Sequence, residues 1–186
     1  VKRNFTKTEW VTFIGSDIGL RFKTTRGRGG VVENVFVNNV NMKDIAAEAI
    51  LFDMYYMAKD PVVLIGEKRE PPKVEFLKVD ESTPQFQNFY FHDITCNGAA
   101  KGIFVRGIPE MHIKNILINN AILQAYDGID IQEASDITLD GITMISKNTN
   151  PVCYILNSNN INLNNLKYKT GSDLLVQVQG DRTKNI

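Results

Sequence analysis

The sequence predicts an all-β solenoid, in which short strands stack in parallel from one coil of the chain to the next. Two observations favour this fold class. Short runs of alternating apolar and polar residues recur from Asn88 onward at spacings of 27, 26, 24 and 20 residues, and a second short strand pattern follows each run. No long segment with a helical period of 3.6 residues intervenes. Repeats of this length with polar corners are typical of stacked coils.

An Asn or Gly followed by an apolar residue opens the first strand of each predicted coil. These opening residues are Asn34, Asn88, Asn115, Gly141, Asn165 and Asn185. The runs that follow, such as NVFVNNV and NFYFHDI, alternate as half-buried strands do. Asn39, Asp93 and Asn120 share one repeat position just after such a strand. We expect left-handed corners there, with side chains that hydrogen-bond as a ladder from coil to coil.

The second strand of each coil carries the candidate binding residues. These strands read GLRFK (19–23), AILFD (49–53), GIFVR (102–106), GIDIQ (128–132), VCYIL (152–156) and DLLVQ (173–177). In GLRFK, alternation points Leu20 and Phe22 inward, and it places Arg21 and Lys23 about 7 Å apart on the outer surface. A planar guanidinium beside an ammonium suits a ligand with one carboxylate per unit. The alternative is that Arg21 and Lys23 belong to an ordinary solvent-exposed charged surface without a binding role.

One segment, residues 57–84, breaks the periodicity with four prolines and alternating charges. Loops of this length without regular structure are usually functional or disordered. We expect an inserted loop that walls one side of a groove, in an otherwise single domain over residues 1–186.

The composition excludes several classes of partner. At 43% hydrophobic residues and a formal net charge of zero, the chain can fill one elongated domain and has no basic footprint for nucleic acid. No apolar run approaches the roughly 18 residues of a membrane span. Cys96 and Cys153 occupy different repeat phases, so we expect two small buried residues without a disulfide.

The segment GSDIGLRFKTTRGRGGVVENVFVNNVNM (15–42) resembles the region around the R-x-K motif of the polygalacturonases and their relatives, glycoside hydrolase family 28. The likeness is strongest over 15–56. It implies a right-handed parallel β-helix that hydrolyses galacturonosyl linkages of pectin, usually with inversion, and needs no metal or organic cofactor. The family's polymeric substrates imply an extracellular or periplasmic location.

The resemblance assigns roles to three residues. Arg21 and Lys23 match the pair that holds the substrate carboxylate beside the scissile bond, and Tyr56 matches a substrate-contacting tyrosine. An aromatic ring can cover the apolar face of a sugar while its hydroxyl hydrogen-bonds. An ordinary half-buried surface tyrosine is the alternative for Tyr56.

The catalytic motifs of the family, N-T-D, D-D and G-H-G on the three coils before R-x-K, do not occur in this sequence. Inverting glycosidases need two carboxyl groups roughly 6.5–9.5 Å apart. We therefore predict no catalytic residue here, and expect the C-terminal portion of a longer pectin hydrolase that continues before Val1 and is inactive alone.

Other polar residues do not replace the missing acids. Asp127 and Asp130 fall three coils beyond the clamp, at about 14 Å for a strand spacing near 4.8 Å. Asp53 lies one coil from Lys23, which favours an ion pair that orients the lysine. His92 and His112 fall on predicted surface positions without metal-ligand spacing.

Two other classes of function remain open. The chain could be a non-catalytic β-helix that binds pectin or another galacturonate-containing polysaccharide. It could also be a polysaccharide lyase, which needs calcium and a basic residue. The sequence near Arg21 lacks the acidic cluster that calcium requires, so the lyase ranks last.

Overall fold

The computed structural model describes residues 2–57 and 75–186, with side chains from Trp10 onward. Its described part is built of strands and turns. In chain order the strands are β1 (Lys2–Ile14), β2 (Leu20–Lys23), β3 (Val31–Lys43), β4 (Glu48–Asp53), β5 (Gln85–Asn97), β6 (Lys101–Arg106), β7 (Ile113–Ala125), β8 (Asp127–Gln132), β9 (Ala134–Ser146), β10 (Cys153–Leu156), β11 (Asn159–Asn164), β12 (Lys167–Tyr168) and β13 (Val176–Gln179).

Long and short strands alternate and form two separate parallel sheets. The long strands pair in the order β1-β3-β5-β7-β9-β11, with β12 also on β9, and the short strands pair in the order β13-β10-β8-β6-β4-β2. Each coil therefore contributes one strand to each sheet and returns one rung further along. Parallel crossovers of this kind are right-handed. The predicted right-handed parallel β-helix is confirmed.

The interior is a continuous apolar column between the two sheets. Phe22 stacks on Phe52 of the next short strand at a centroid distance of 4.7 Å, and it also packs on Phe89 at 5.0 Å. Cys96 and Cys153 are buried and unbridged, as predicted, and burial raises the pKa of their thiols to about 11 and about 12. No helix in the described ranges has the length and apolar character needed to cross a membrane.

Two columns of residues with left-handed backbone angles run along the sheet of long strands. The first column contains Asn34, Asn88, Asn115, Asp136, Asn160 and Asn185, and the second contains Trp10, Asn39, Asp93, Asn120, Gly141 and Asn165. Asn88 donates to Asn34 at 3.1 Å and accepts from Asn115 at 2.9 Å. In the second column the Asn120 amide donates to Asp93. The predicted left-handed corners at Asn39, Asp93 and Asn120 are thus confirmed, and the predicted ladder contact is observed between Asn120 and Asp93.

The structure corrects the repeat phase predicted for Gly141 and Asn165. Backbone pairing aligns Gly141 with Asn120, in the second column, whereas Asp136 follows Asn115 in the first. Asn165 takes the second-column position of the following coil. Both corners require the same left-handed conformation, so an Asn or Gly does not reveal which corner it occupies.

The sixth short strand also begins later than predicted, at Val176 instead of residue 173. Asp173 belongs to the preceding turn, where its carboxylate accepts a hydrogen bond from Thr149 at 3.3 Å.

Of the predicted inserted loop 57–84, residues 58–74 lie outside the described residues. The described end forms a turn in which Ser82 N donates to the Asp80 carboxylate at 2.8 Å. The Ser82 carbonyl in turn accepts hydrogen bonds from Gly27 N at 3.2 Å and Gly29 N at 2.8 Å. The end of this segment is therefore fastened to the turn that follows β2. Its role as the wall of a groove stays a prediction.

The ladder makes Asn88 a sensitive position. Asn88→Ala should destabilise the protein, because a left-handed alanine costs about 1–2 kcal/mol and two side-chain hydrogen bonds are lost. Asn88→Gly should destabilise it less, since glycine accepts the backbone angle and only the ladder contacts disappear. Chemical denaturation of both variants checks this order, and equal stability of the two would contradict it.

Candidate functional site

The outer surface of the first short strand carries two exposed cations. Leu20 is buried and Phe22 packs in the core, so alternation along β2 leaves Arg21 and Lys23 facing outward, as predicted. Neither cation has a carboxylate within 4.0 Å among the described residues. Both charges remain available to an anion.

Tyr56 lies beside these cations because the turns that follow β2 and β4 pair with each other. Tyr56 N donates to the Thr24 carbonyl at 3.0 Å. Its ring centroid is 3.9 Å from Lys23 Nζ and 5.1 Å from Arg21 Cζ. The structure thus brings together the three residues that the sequence assigned to one site. Lys23 Nζ therefore lies over the face of the ring, and Tyr56 is half-buried.

Arg28 is a fourth member of this group, which the sequence reasoning missed. Its guanidinium carbon lies 5.9 Å from the Tyr56 ring centroid. The sequence signal that could have identified it is the second arginine of the TTRGRGG turn in the same coil. Lys23, acting as hydrogen-bond partner and as a charge, lowers the pKa of Tyr56 below its ordinary 10.0, and the charges of Arg21 and Arg28 lower it further.

A glycine is required in the turn that carries Arg28. Gly29 has a left-handed backbone with φ of 57°, and a side chain at this position would meet the Glu81 carbonyl oxygen at 2.3 Å. Beside the turn, a surface pocket of about 110 Å³ is lined by Lys23, Gly29, Gly30 and Pro84, among others. The glycines therefore allow close packing of the turn and an open surface next to Lys23.

A buried ion pair anchors the same turn to a distant coil. Arg26 donates to both carboxylate oxygens of Glu110, from Nε at 2.6 Å and from Nη2 at 2.8 Å. The Glu110 side chain is only 4% exposed. Burial opposes its ionisation, but the hydrogen bonds and charge of Arg26 prevail and lower the pKa of Glu110. The sequence could not reveal this pair, because the partners are 84 residues apart.

The predicted ion pair between Asp53 and Lys23 is wrong. Asp53 accepts hydrogen bonds from Arg106 of the next coil, from Nε at 3.0 Å and from Nη2 at 2.7 Å, and from Tyr55 N at 2.9 Å. All three donors bond the same oxygen, Oδ1, and the two from the Arg106 guanidinium tie this carboxylate to the next coil.

The two aspartates considered as substitutes for the catalytic acids are also engaged. Asp130 is 7% exposed and accepts from Lys101 Nζ at 3.0 Å and from Gln132 at 2.9 Å. Asp127 accepts from Asn148 at 2.9 Å. Strand pairing places Asp130 three short strands beyond Arg21, as predicted.

The histidines lie away from the cation cluster. His92 is exposed on β5, as predicted, and its Nδ1 is 2.7 Å from the Asp93 carboxylate. His112 does not occupy a surface strand position, which corrects the prediction. It precedes β7 and is largely buried, with Nε2 3.4 Å from Glu133 Oε2. Within the described ranges, no three His, Cys, Asp or Glu side chains group as metal ligands do.

The site therefore combines three exposed cations with one tyrosine, and the carboxylates around it are held in other contacts. Such an arrangement can bind and orient an anion. Within the described residues, no carboxylate lies within 4.0 Å of Arg21 or Lys23 to act as an acid or base.

Comparisons with known proteins agree with this picture in one respect. Residues 4–83 match the family model of Glycosyl hydrolases family 28. Searches of curated proteins and of solved structures gave no significant match. The matched segment contains Tyr56 and the three cations beside it. This match supports membership of glycoside hydrolase family 28 for the part of the chain over residues 4–83.

Proposed function

We propose that this chain forms the carboxylate-binding part of a pectin-degrading glycoside hydrolase that cleaves galacturonosyl linkages. The observation that carries the proposal is the convergence of Arg21, Lys23 and Arg28 on Tyr56, with no carboxylate of the described residues within 4.0 Å of these cations. Each galacturonate unit of the polysaccharide carries one carboxylate. Arg21 supplies a planar bidentate contact to that group, and Lys23 supplies a point charge.

Tyr56 completes the proposed contact with the sugar. We expect the pyranose to contact the part of the Tyr56 ring that Lys23 does not cover. A uronate held this way is fixed by its charge at one end and by its ring at the other. Such positioning is the contribution that binding residues make to catalysis.

Hydrolysis in this proposal depends on catalytic acids at motifs that this sequence does not contain. The N-T-D, D-D and G-H-G motifs are missing, and the aspartates near the site are engaged by Arg106, Lys101 and Asn148. In the family that this chain resembles, those acids lie on coils that precede the R-x-K motif. In the proposed enzyme, residues outside 1–186 supply them. Inversion and an extracellular or periplasmic location belong to the same proposal.

A second candidate is a non-catalytic β-helix that binds acidic polysaccharide. The paired state of Asp53 and Asp130 favours it, since neither carboxylate is available as an acid or base near the clamp. Both candidates require uronate binding, and only the first requires turnover once the family aspartates are present.

The purified 186-residue chain should bind oligogalacturonates but release no reducing sugar from polygalacturonate, because it lacks the two carboxyl groups of the reaction. A reducing-sugar assay measures this, with calorimetric binding on the same sample as proof that the site is folded. Reproducible sugar release would show that acids within this chain suffice. An ultraviolet-absorbing unsaturated product would instead identify a lyase.

The clamp itself is tested by Arg21→Ala and Lys23→Ala. Each change should weaken oligogalacturonate binding roughly 10- to 150-fold at low salt, because a hydrogen bond to a charged group contributes about 1.5–3 kcal/mol. The loss should shrink as salt screens these exposed charges. In an enzyme that combines this site with the family aspartates, turnover of de-esterified pectin should fall in parallel.

The matched control is Lys114→Ala, which removes an exposed lysine from β7 in the other sheet. A neutral galactose oligomer serves as the ligand control, since it lacks the carboxylate. Unchanged uronate affinity in both clamp variants would remove the assignment.

Binding should also depend on alkaline pH through Tyr56. Its lowered pKa means that the phenolate forms below the ordinary value of 10.0. The phenolate then competes with the uronate for Lys23 and Arg21, so affinity should hold below the Tyr56 pKa and fall as pH rises through it. Phenolate difference spectra between the wild type and Tyr56→Phe locate that pKa. Affinity of Tyr56→Phe should lack this step, and identical pH profiles would contradict the prediction.

A further inference from the structure

The end of the inserted segment and the turn after β2 meet at one buried carboxylate. Glu110, in the turn after β6, accepts hydrogen bonds from Arg26 Nε at 2.6 Å and from Arg26 Nη2 at 2.8 Å. The same Nη2 donates to the Glu75 carbonyl at 3.0 Å, and a backbone hydrogen bond from Leu77 reaches the Glu110 carboxylate. Glu110 therefore joins the turn after β2, the turn after β6 and residues 75–77, which we call the strap.

A second contact holds the strap from the last coil of the described chain. The Phe76 ring centroid lies 4.6 Å from Arg182 Cζ. Arg182 Nη2 in turn donates to the buried carboxylate of Glu133, which also accepts from Asn157 at 2.9 Å. The strap is thus attached to two separate coils, and each attachment leads to a buried carboxylate.

The turn that Arg26 anchors forms part of the surroundings of the clamp. The Thr24 carbonyl accepts a hydrogen bond from Tyr56 N, and Arg28 approaches the Tyr56 ring. Gly29 lines the surface pocket next to Lys23. A shift of this turn would therefore move groups on two sides of the clamp.

Two attachments fix this turn to the rest of the molecule. The first is backbone pairing, in which Gly27 N and Gly29 N both donate to the Ser82 carbonyl. The second is the ion pair of Arg26 with Glu110. A buried cation that loses its carboxylate is unfavourable, so neutral Glu110 would release the Arg26 side chain toward solvent and loosen the turn with it.

We infer that Glu110 is a positioning residue for the uronate site. It holds the turn after β2 and the strap in the arrangement that keeps Tyr56 and the pocket beside Lys23 ready for a ligand, and it does so without contacting the ligand. This inference rests on the proposed function and deepens it, because it names the residue that keeps the site pre-organised. A site that must be ordered during binding has a lower affinity.

Glu110→Gln tests the inference in the 186-residue chain, because it keeps the shape of the side chain and removes its charge. Hydrogen exchange should become faster at the Gly27 and Gly29 amides, which report on local opening of the turn. Calorimetric titration with an oligogalacturonate should show an affinity roughly 2- to 10-fold lower than that of the wild type, which is the cost of ordering one or two free side chains. Arg26→Met should give the same two effects, and the double variant should bind no more weakly than either single variant.

The matched control is Asp130→Asn, which neutralises a buried carboxylate of β8 that is bonded to Lys101 at 3.0 Å instead of to Arg26. This control should lower stability but leave both the exchange of the glycine amides and the uronate affinity unchanged. Leu77→Pro removes the backbone donor of the strap and keeps the buried ion pair, so it provides the same test if Glu110→Gln does not fold.

The exchange and the affinity are read together. Unchanged exchange at Gly27 and Gly29 in a folded variant, or faster exchange with wild-type affinity, would overturn the inference while uronate binding by the wild type still supports the proposed function. Equal losses of affinity in Asp130→Asn and Glu110→Gln would also overturn it. A wild type that binds no oligogalacturonate would overturn the proposed function and the role of Glu110 in binding together.

Discussion

Parallel stacking of the coils in register is the constraint on which the rest of this molecule depends. Each strand finds its backbone partners one coil away, so every residue stands directly beside its equivalents on the neighbouring rungs. This is why Tyr56, at the end of one coil, comes to lie against Arg21 and Lys23 of the coil before it. The left-handed columns at Asn88 and Asn120 keep the long strands bent at constant positions, so the short strands return in register.

Much of this architecture is encoded locally and could be predicted. Alternation with a period of two determines that Leu20 and Phe22 face the core and that Arg21 faces out, whatever the neighbouring coil does. The phase of Gly141 could not be predicted in the same way. Both corners of a long strand demand the same backbone conformation, and the residue type satisfies either one. Only the pairing with Asn120 distinguishes them.

The residues of the site could be predicted only in part from the sequence, for a related reason. Arg21 and Lys23 owe their position to one strand, but Arg28 reaches Tyr56 from a turn whose shape depends on its contact with Ser82. The pair between Arg26 and Glu110 joins turns of two different coils across the inserted segment. Contacts of this kind are set by turn geometry over long sequence separations, and no local periodicity carries them.

Asp53 and Arg106 show how a charge can be protected from its own neighbour. Strand pairing puts Asp53 directly beside Lys23, where a carboxylate would normally form an ion pair with the lysine and neutralise its charge. Arg106, one rung further along, outcompetes Lys23 for that carboxylate with two donors from one guanidinium. Arg106 thus keeps Lys23 available to an external carboxylate, although Arg106 itself need not touch the ligand. In a relative of this chain without that arginine, Asp53 would be free to pair with Lys23. Lys23 would then be unchanged in sequence but no longer available to the substrate carboxylate.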